Sequence, residues 1–204
     1  MSPNEPERHP TPYADDPKIH HVDARTLRGL AHPLRIRLLN TLREFGPATA
    51  SGLADRLGES SGATSYHLRQ LATYGFVEDD PERGKGRERW WKAVHTGNTL
   101  NASTFLEHPD AEVRGAVGLV LHEVAGRHAQ DLNTWLGTMH EWPEEWRRAF
   151  DISDFKLRLT PELSLELAEK VQELMNSYQD RVPDGTEGSA VVRTHLHMFP
   201  RPTD

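Results

Sequence analysis

The stretch that most restricts what this chain can fold into is ATASGLADRLGESSGATSYHLRQLATYGFV, residues 48–77. Thr49 can cap a short helix whose inner stripe is Leu53, Ala54 and Leu57. Gly58 can close that helix in a left-handed conformation, and Ser60 or Ser61 can cap the next one. Two helices so close, with a glycine in the turn, have the spacing of a helix-turn-helix. In the second helix, Thr64, Leu68, Leu71, Ala72 and Gly75 fall on one side at ~100° per residue. Gly62, Tyr66 and Thr73 point the other way, Ser65 and Arg69 flank them, and His67 lies nearer the packing edge. The outer face thus has hydroxyls, one cation and no carboxylate, a chemistry suited to phosphates and base edges in a major groove.

The flanks are consistent with that reading. Residues 21–31 predict a short helix with Leu27 and Leu30 inward. Pro33 opens a longer one that places Leu34, Leu38, Leu42 and Phe45 on one face, widened by Ile36 and Leu39, and ended by Gly46-Pro47. Residues 76–94 read as a hairpin: Phe76 and Val77 begin one strand and 89–94 form the other, with Pro81, Gly84 and Gly86 at the tip. Arg83, Lys85 and Arg87 lie on or beside the tip, so the hairpin is a basic wing. Trp90 and Trp91 alternate across the second strand, and one of them belongs to the core.

The remainder differs in composition. Net charge is −7, yet residues 22–97 carry twelve Lys and Arg against nine Asp and Glu, which leaves −10 elsewhere. An acidic chain with a mildly basic module can still meet a polyanion, because local patches govern the encounter. Cysteine is absent, which excludes disulfides, thiolate metal sites and cysteine nucleophiles, and fits a reducing cytoplasm. No apolar run approaches the ~20 residues of a membrane span. Residues 1–20, rich in Pro, Asp and Glu and without an apolar core, predict a disordered tail and no secretion signal. Residues 98–150 read as a linker and a long helix from Pro109 to about His140, with Val113, Val117, Val120, Val124, Leu132, Trp135 and Met139 at 3–4 spacing. Residues 151–204 predict a β-α-β segment: DFKLRL alternates, Thr160-Pro161 opens a helix striped by Leu163, Leu167, Val171, Leu174 and Tyr178, and AVVRTHLHMF alternates again. Two strands alone are marginal, so they should lean on the long helix or on a second copy of the chain.

HPLRIRLLNTLRE, the 48–77 stretch and the following hairpin resemble the ArsR/SmtB winged helix-turn-helix regulators over roughly residues 22–97. Ala54, Gly58, the Ser65–Leu68 run and Gly75 to Val77 carry the likeness. GRERWW with the closing HLHMFPRP is similar, more loosely, to a bacterial subgroup with an added C-terminal α/β segment. The resemblance implies a homodimer whose recognition helices enter successive major grooves, with residues 21–97 as the DNA-binding domain and the long helix as the dimerisation element. Ser61, Gly62, Ser65, Tyr66 and Arg69 fall at groove-facing positions, and Arg83, Lys85 and Arg87 on the wing. Ser60, Thr64 and His67 complete the set expected at DNA. The family's metal sites are not reproduced: the helix before the turn has no cysteine, and His122 and His128 are six residues apart on the long helix.

The expected fold is therefore mainly α with small β. The expected function is a cytoplasmic transcriptional regulator, a repressor that binds an inverted repeat in double-stranded DNA as a homodimer, with no catalytic centre, cofactor or metal. A small-molecule, non-metal effector would bind at the β-α-β segment and the aromatic residues Trp135, Trp142, Trp146 and Phe150. Two alternatives stay open: a protein-interaction module of the same shape, and a zinc-responsive regulator with histidine ligands, for which His195 and His197 share one strand face.

Overall fold

The computed structural model of the chain describes residues 17–83, 88–179 and 181–202. It divides into a unit of residues 13–131 and a second one that includes residues 132–204. The fold is mainly α with small β and contains a winged helix-turn-helix.

In the first unit, β1 (Ile19–His21) leads to α1 (Ala24–Leu30) and α2 (Pro33–Phe45). Asp23 and Thr26 form a reciprocal capping box at the start of α1. His32 caps α2 through its Nδ1, which accepts from Leu34 N at 3.1 Å, with Pro33 in the first turn. After β2 (Ala48–Thr49), Thr49 caps α3 (Ala50–Leu57) as expected, and Gly58 closes it at φ 68°. Ser60 caps α4 (Ser61–Thr73). Then follow β3 (Val77–Asp79), β4 (Trp90–Ala93), β5 (Gly97–Thr99) and α5 (Ala102–Leu106).

The leucine stripes meet in one core. Leu27, Leu38, Leu53, Leu68, Leu71, Phe76 and Val77 are all at most 2% exposed, and Trp91 rather than Trp90 joins them. Phe105, Val113 and Val117 seal the cluster. Phe45 departs from expectation and is 61% exposed. It is the last residue of α2, beyond the reach of the core, and the Arg56 guanidinium lies 4.1 Å from its ring centroid.

The hairpin is present, and its sheet is larger than expected. β3 and β4 are antiparallel, with Val77 opposite Ala93 and Asp79 opposite Trp91. β2 adds on the other side of β4, so the order is β2-β4-β3. A separate parallel pair joins β1 to β5, with Ile19 opposite Gly97. Residues 17–20, assigned to the tail from sequence, thus begin the folded unit, while residues 1–16 lie outside the described residues.

α6 (Ala111–Thr138) is the long helix, about 42 Å at 1.5 Å per residue. A 3-10 turn (Met139–Glu141) and α7 (Glu144–Arg148) follow. In the second unit, Thr160 and Pro161 open α8 (Pro161–Asn176) as predicted. The flanking strands of the expected β-α-β segment do not form: 151–160 and 190–200 belong to no sheet among the described residues. Two isolated strands lack the neighbours that would stabilise their ladder. Trp135, Trp142, Trp146 and Phe150 do converge, with centroids 5.5 Å (Trp135–Trp142), 5.7 Å (Trp135–Phe150) and 6.4 Å (Trp142–Trp146) apart. These are ring-packing distances, so the four rings touch one another within the second unit.

Candidate nucleic-acid interface

α4 is held by its inner side. Leu68 and Leu71 anchor it in the core, and Ser60 Oγ accepts from Ala63 N at 3.2 Å, which satisfies one free donor at its start. The opposite face is open. Ser61, Gly62, Tyr66, Arg69 and Thr73 are exposed, Tyr66 by 54%, and Ser65 is half-buried. A Cβ on Gly62 would meet nothing within 4 Å, so the backbone is accessible there. Arg69 Nε donates to the Ser65 carbonyl at 3.0 Å, which lays the guanidinium along the helix.

Thr64 must be removed from the DNA-facing set. It is 0% exposed, on the same side as Leu68 and Leu71, and its Oγ1 has no hydrogen-bond partner. A buried unpaired hydroxyl stabilises nothing. Thr64→Val is therefore expected to leave thermal stability unchanged or raise it, by up to about 1 kcal/mol, and to leave DNA affinity unaltered. Denaturant titration and a binding isotherm on the same variant check both halves.

His67 is half-buried, and its neighbours were not visible in the sequence pattern. Its ring lies 4.1 Å from that of His32 and 5.1 Å from Tyr66, edge-on to the latter. Burial pushes its pKa down, helped by His32 and Arg35 and opposed by Glu59. Arg35 donates through one terminal nitrogen to the Arg28 carbonyl at 3.0 Å, while its Nε is buried without a partner. Burial lowers the Arg35 pKa, and Tyr74 and Tyr66 partly offset this. His32 and Arg35 therefore back the recognition helix from α2. Pro33 gave a hint that His32 is a cap, but the stacking with His67 crosses 35 residues and leaves no periodic trace.

The described cations of the wing are paired. Arg89 pairs with Asp79 at 3.0 Å, Lys92 with Glu78 at 3.3 Å, and Arg83 with the nearly buried Asp80 at 3.5 Å. Arg83 is thus exposed but already partnered. Lys85 and Arg87 lie outside the described residues. Between the helices and the wing runs a shallow groove lined by Thr49, Ser51, Ser65, Arg69, Glu88 and Arg89. It brings Ser65 and Arg69 beside Arg89, which also lies over the Trp91 ring, and beside one carboxylate, Glu88.

Among the described residues no three His, Asp or Glu side chains gather as a metal-ligand set. His122 Nδ1 instead lies 2.8 Å from the Gly118 carbonyl. No described helix is long and apolar enough to cross a membrane.

No curated protein matches the chain. Two solved structures of a ZitR double mutant from Lactococcus lactis resemble it at 14% identity and a TM-score of 0.29. One, in the apo form, covers 76% of this chain and 86% of its own, and the other 72% and 74%. A family model described as a helix-turn-helix domain matches residues 30–80, which span α2, α3, α4 and β3. Residues 30–80 of this chain form a helix-turn-helix domain.

Proposed function

We propose that the chain is a transcriptional regulator of the ArsR/SmtB kind, a cytoplasmic repressor that binds an inverted repeat in double-stranded DNA as a homodimer. The observation that carries the proposal is the outer face of α4: exposed, hydroxyl-bearing, free of carboxylates, and centred on Tyr66 and Arg69. Ser61, Gly62 and Ser65 lie beside them where a groove floor would come, and His67 holds the Tyr66 ring by edge contact. Ser60 fixes the helix start, so that its free amides point towards phosphate. Arg69 supplies positive charge to the groove beside the wing, and the sequence adds Lys85 and Arg87 between β3 and β4. The chemistry is recognition, so no catalytic group or cofactor enters this reading.

Selection of bound duplexes from a genomic library, followed by titration, tests the proposal. Arg69→Ala and Tyr66→Ala are each expected to weaken binding to the selected duplex by roughly 1–3 kcal/mol, with little change in folding stability. Affinity should fall steeply as salt rises, because phosphate contacts release counterions. Unchanged affinity in both variants would remove α4 from the interface.

A further inference from the structure

The second unit carries apolar surface that its own residues leave uncovered. None of the described residues from 132 to 202 is buried. α8 buries no residue, although Leu163, Leu167, Val171 and Leu174 make it amphipathic. Its carboxylates Glu162, Glu166, Glu169 and Glu173 fall together on the opposite side at 100° per residue. Around it, 151–160 leaves Phe155 80% and Leu157 60% exposed, and 190–199 leaves Val191 95% and Phe199 72% exposed. Both segments alternate as strands do, yet neither has a sheet to join.

Phe155, Leu157, Val191, Val192 and Phe199 are each at least 60% exposed, apolar surface of the kind that an obligate homodimer covers. The charge narrows the choice of partner. Residues 132–204 carry thirteen Asp and Glu against eight Lys and Arg, which turns away nucleic acid.

We infer that 151–160 and 190–199 become strands only against a second copy of this chain, so that the C-terminal units of two copies fold as one shared sheet with both α8 helices packed on it. This rests on the homodimer proposed above and says where the copies join. Segment 151–160 is self-complementary at its centre. Laid antiparallel on its copy about Phe155, it sets Asp154 opposite Lys156 twice and Phe155 opposite itself. A four-stranded sheet then replaces two marginal strands, and its apolar face is the one that the leucines of α8 lack. Folding of the unit and dimerisation are one step.

Hydrogen exchange on the full-length chain, read beside sedimentation over a range of concentrations, tests this. In the dimer, amides of 152–159 and 191–198 should be protected at least ~100-fold, and the protection should vanish on dilution to monomer. Leu157→Glu should raise the dimer dissociation constant at least ~100-fold while exchange in residues 17–79 stays as in the wild type. Four results overturn the inference: a monomer at every concentration; a dimer whose two segments exchange freely; protection that survives dissociation, which means that the strands pair within one chain; and wild-type dimerisation by Leu157→Glu. A dimer with freely exchanging segments leaves the DNA-binding reading intact with the copies joined elsewhere. Failure to bind any selected duplex leaves the exchange result unaffected.

Discussion

Phe76→Ala should lower the stability of the winged helix-turn-helix by about 3–5 kcal/mol. Phe76 is 0% exposed and follows Gly75, whose φ of 79° turns the chain out of α4 and into β3. Its own backbone spans the junction: its amide donates to the Leu71 carbonyl at 3.0 Å, and its carbonyl accepts from Val94 N at 3.1 Å. The ring meets His20 of β1 edge-on at a centroid distance of 5.0 Å. Truncation would open a cavity where recognition helix, wing and β1 converge, and the tethered backbone limits how far the walls can collapse. Against the 5–15 kcal/mol typical of a domain, that is a large share of the total. Urea denaturation should show a lower midpoint with an unchanged slope. A loss below about 1 kcal/mol would mean that the site collapses freely and that Phe76 does not join the three elements.

The same residue shows what was legible beforehand and what was not. Helix faces could be read because the 3.6-residue period records burial directly: Leu34, Leu38, Leu42, Leu53, Leu68 and Leu71 all reached the core, and Tyr66 and Arg69 stayed outside. Thr64 was readable too, since its angle put it with Leu68, but its hydroxyl argued for DNA while its position argued for the core, and position prevailed. Pairings distant in sequence left no such record. β1 and β5 pair across 78 residues, and β2 has only two residues to show an alternation. Arg83 was visible on the wing in the sequence, whereas its pairing with Asp80, like that of Arg89 with Asp79 and Lys92 with Glu78, is a matter of register. The C-terminal alternation marked segments able to form strands, but a ladder requires a neighbour, and the described residues supply none.

Acid should destabilise the first unit between neutral pH and about pH 5. Three of its histidines, His20, His67 and His95, have pKa values below the ordinary 6.5, each mainly through burial. His95 and Arg43 add to the effect at His20, as does His21, against Asp23; His32 and Arg35 add to it at His67, against Glu59; Arg43 adds to it at His95. The folded state therefore binds fewer protons than the unfolded chain once pH falls to about 6.5. The stabilising contribution is fully present above that value and is lost as pH drops towards the folded pKa values. Each group can contribute at most about 1.4 kcal/mol per pH unit, and partial exposure keeps the actual share below that limit. Urea midpoints measured from pH 8 to pH 5 should be flat at the upper end and fall through the window, with a smaller fall in His95→Gln. The capping carboxylate of Asp23, held low by its bonds to Thr26, titrates in a separate and more acidic range and cannot mimic the effect. Midpoints that hold steady or rise down to pH 5 would mean that these imidazoles are solvated in the folded chain, and the stacking of His67 on His32 would then give no support to the recognition helix.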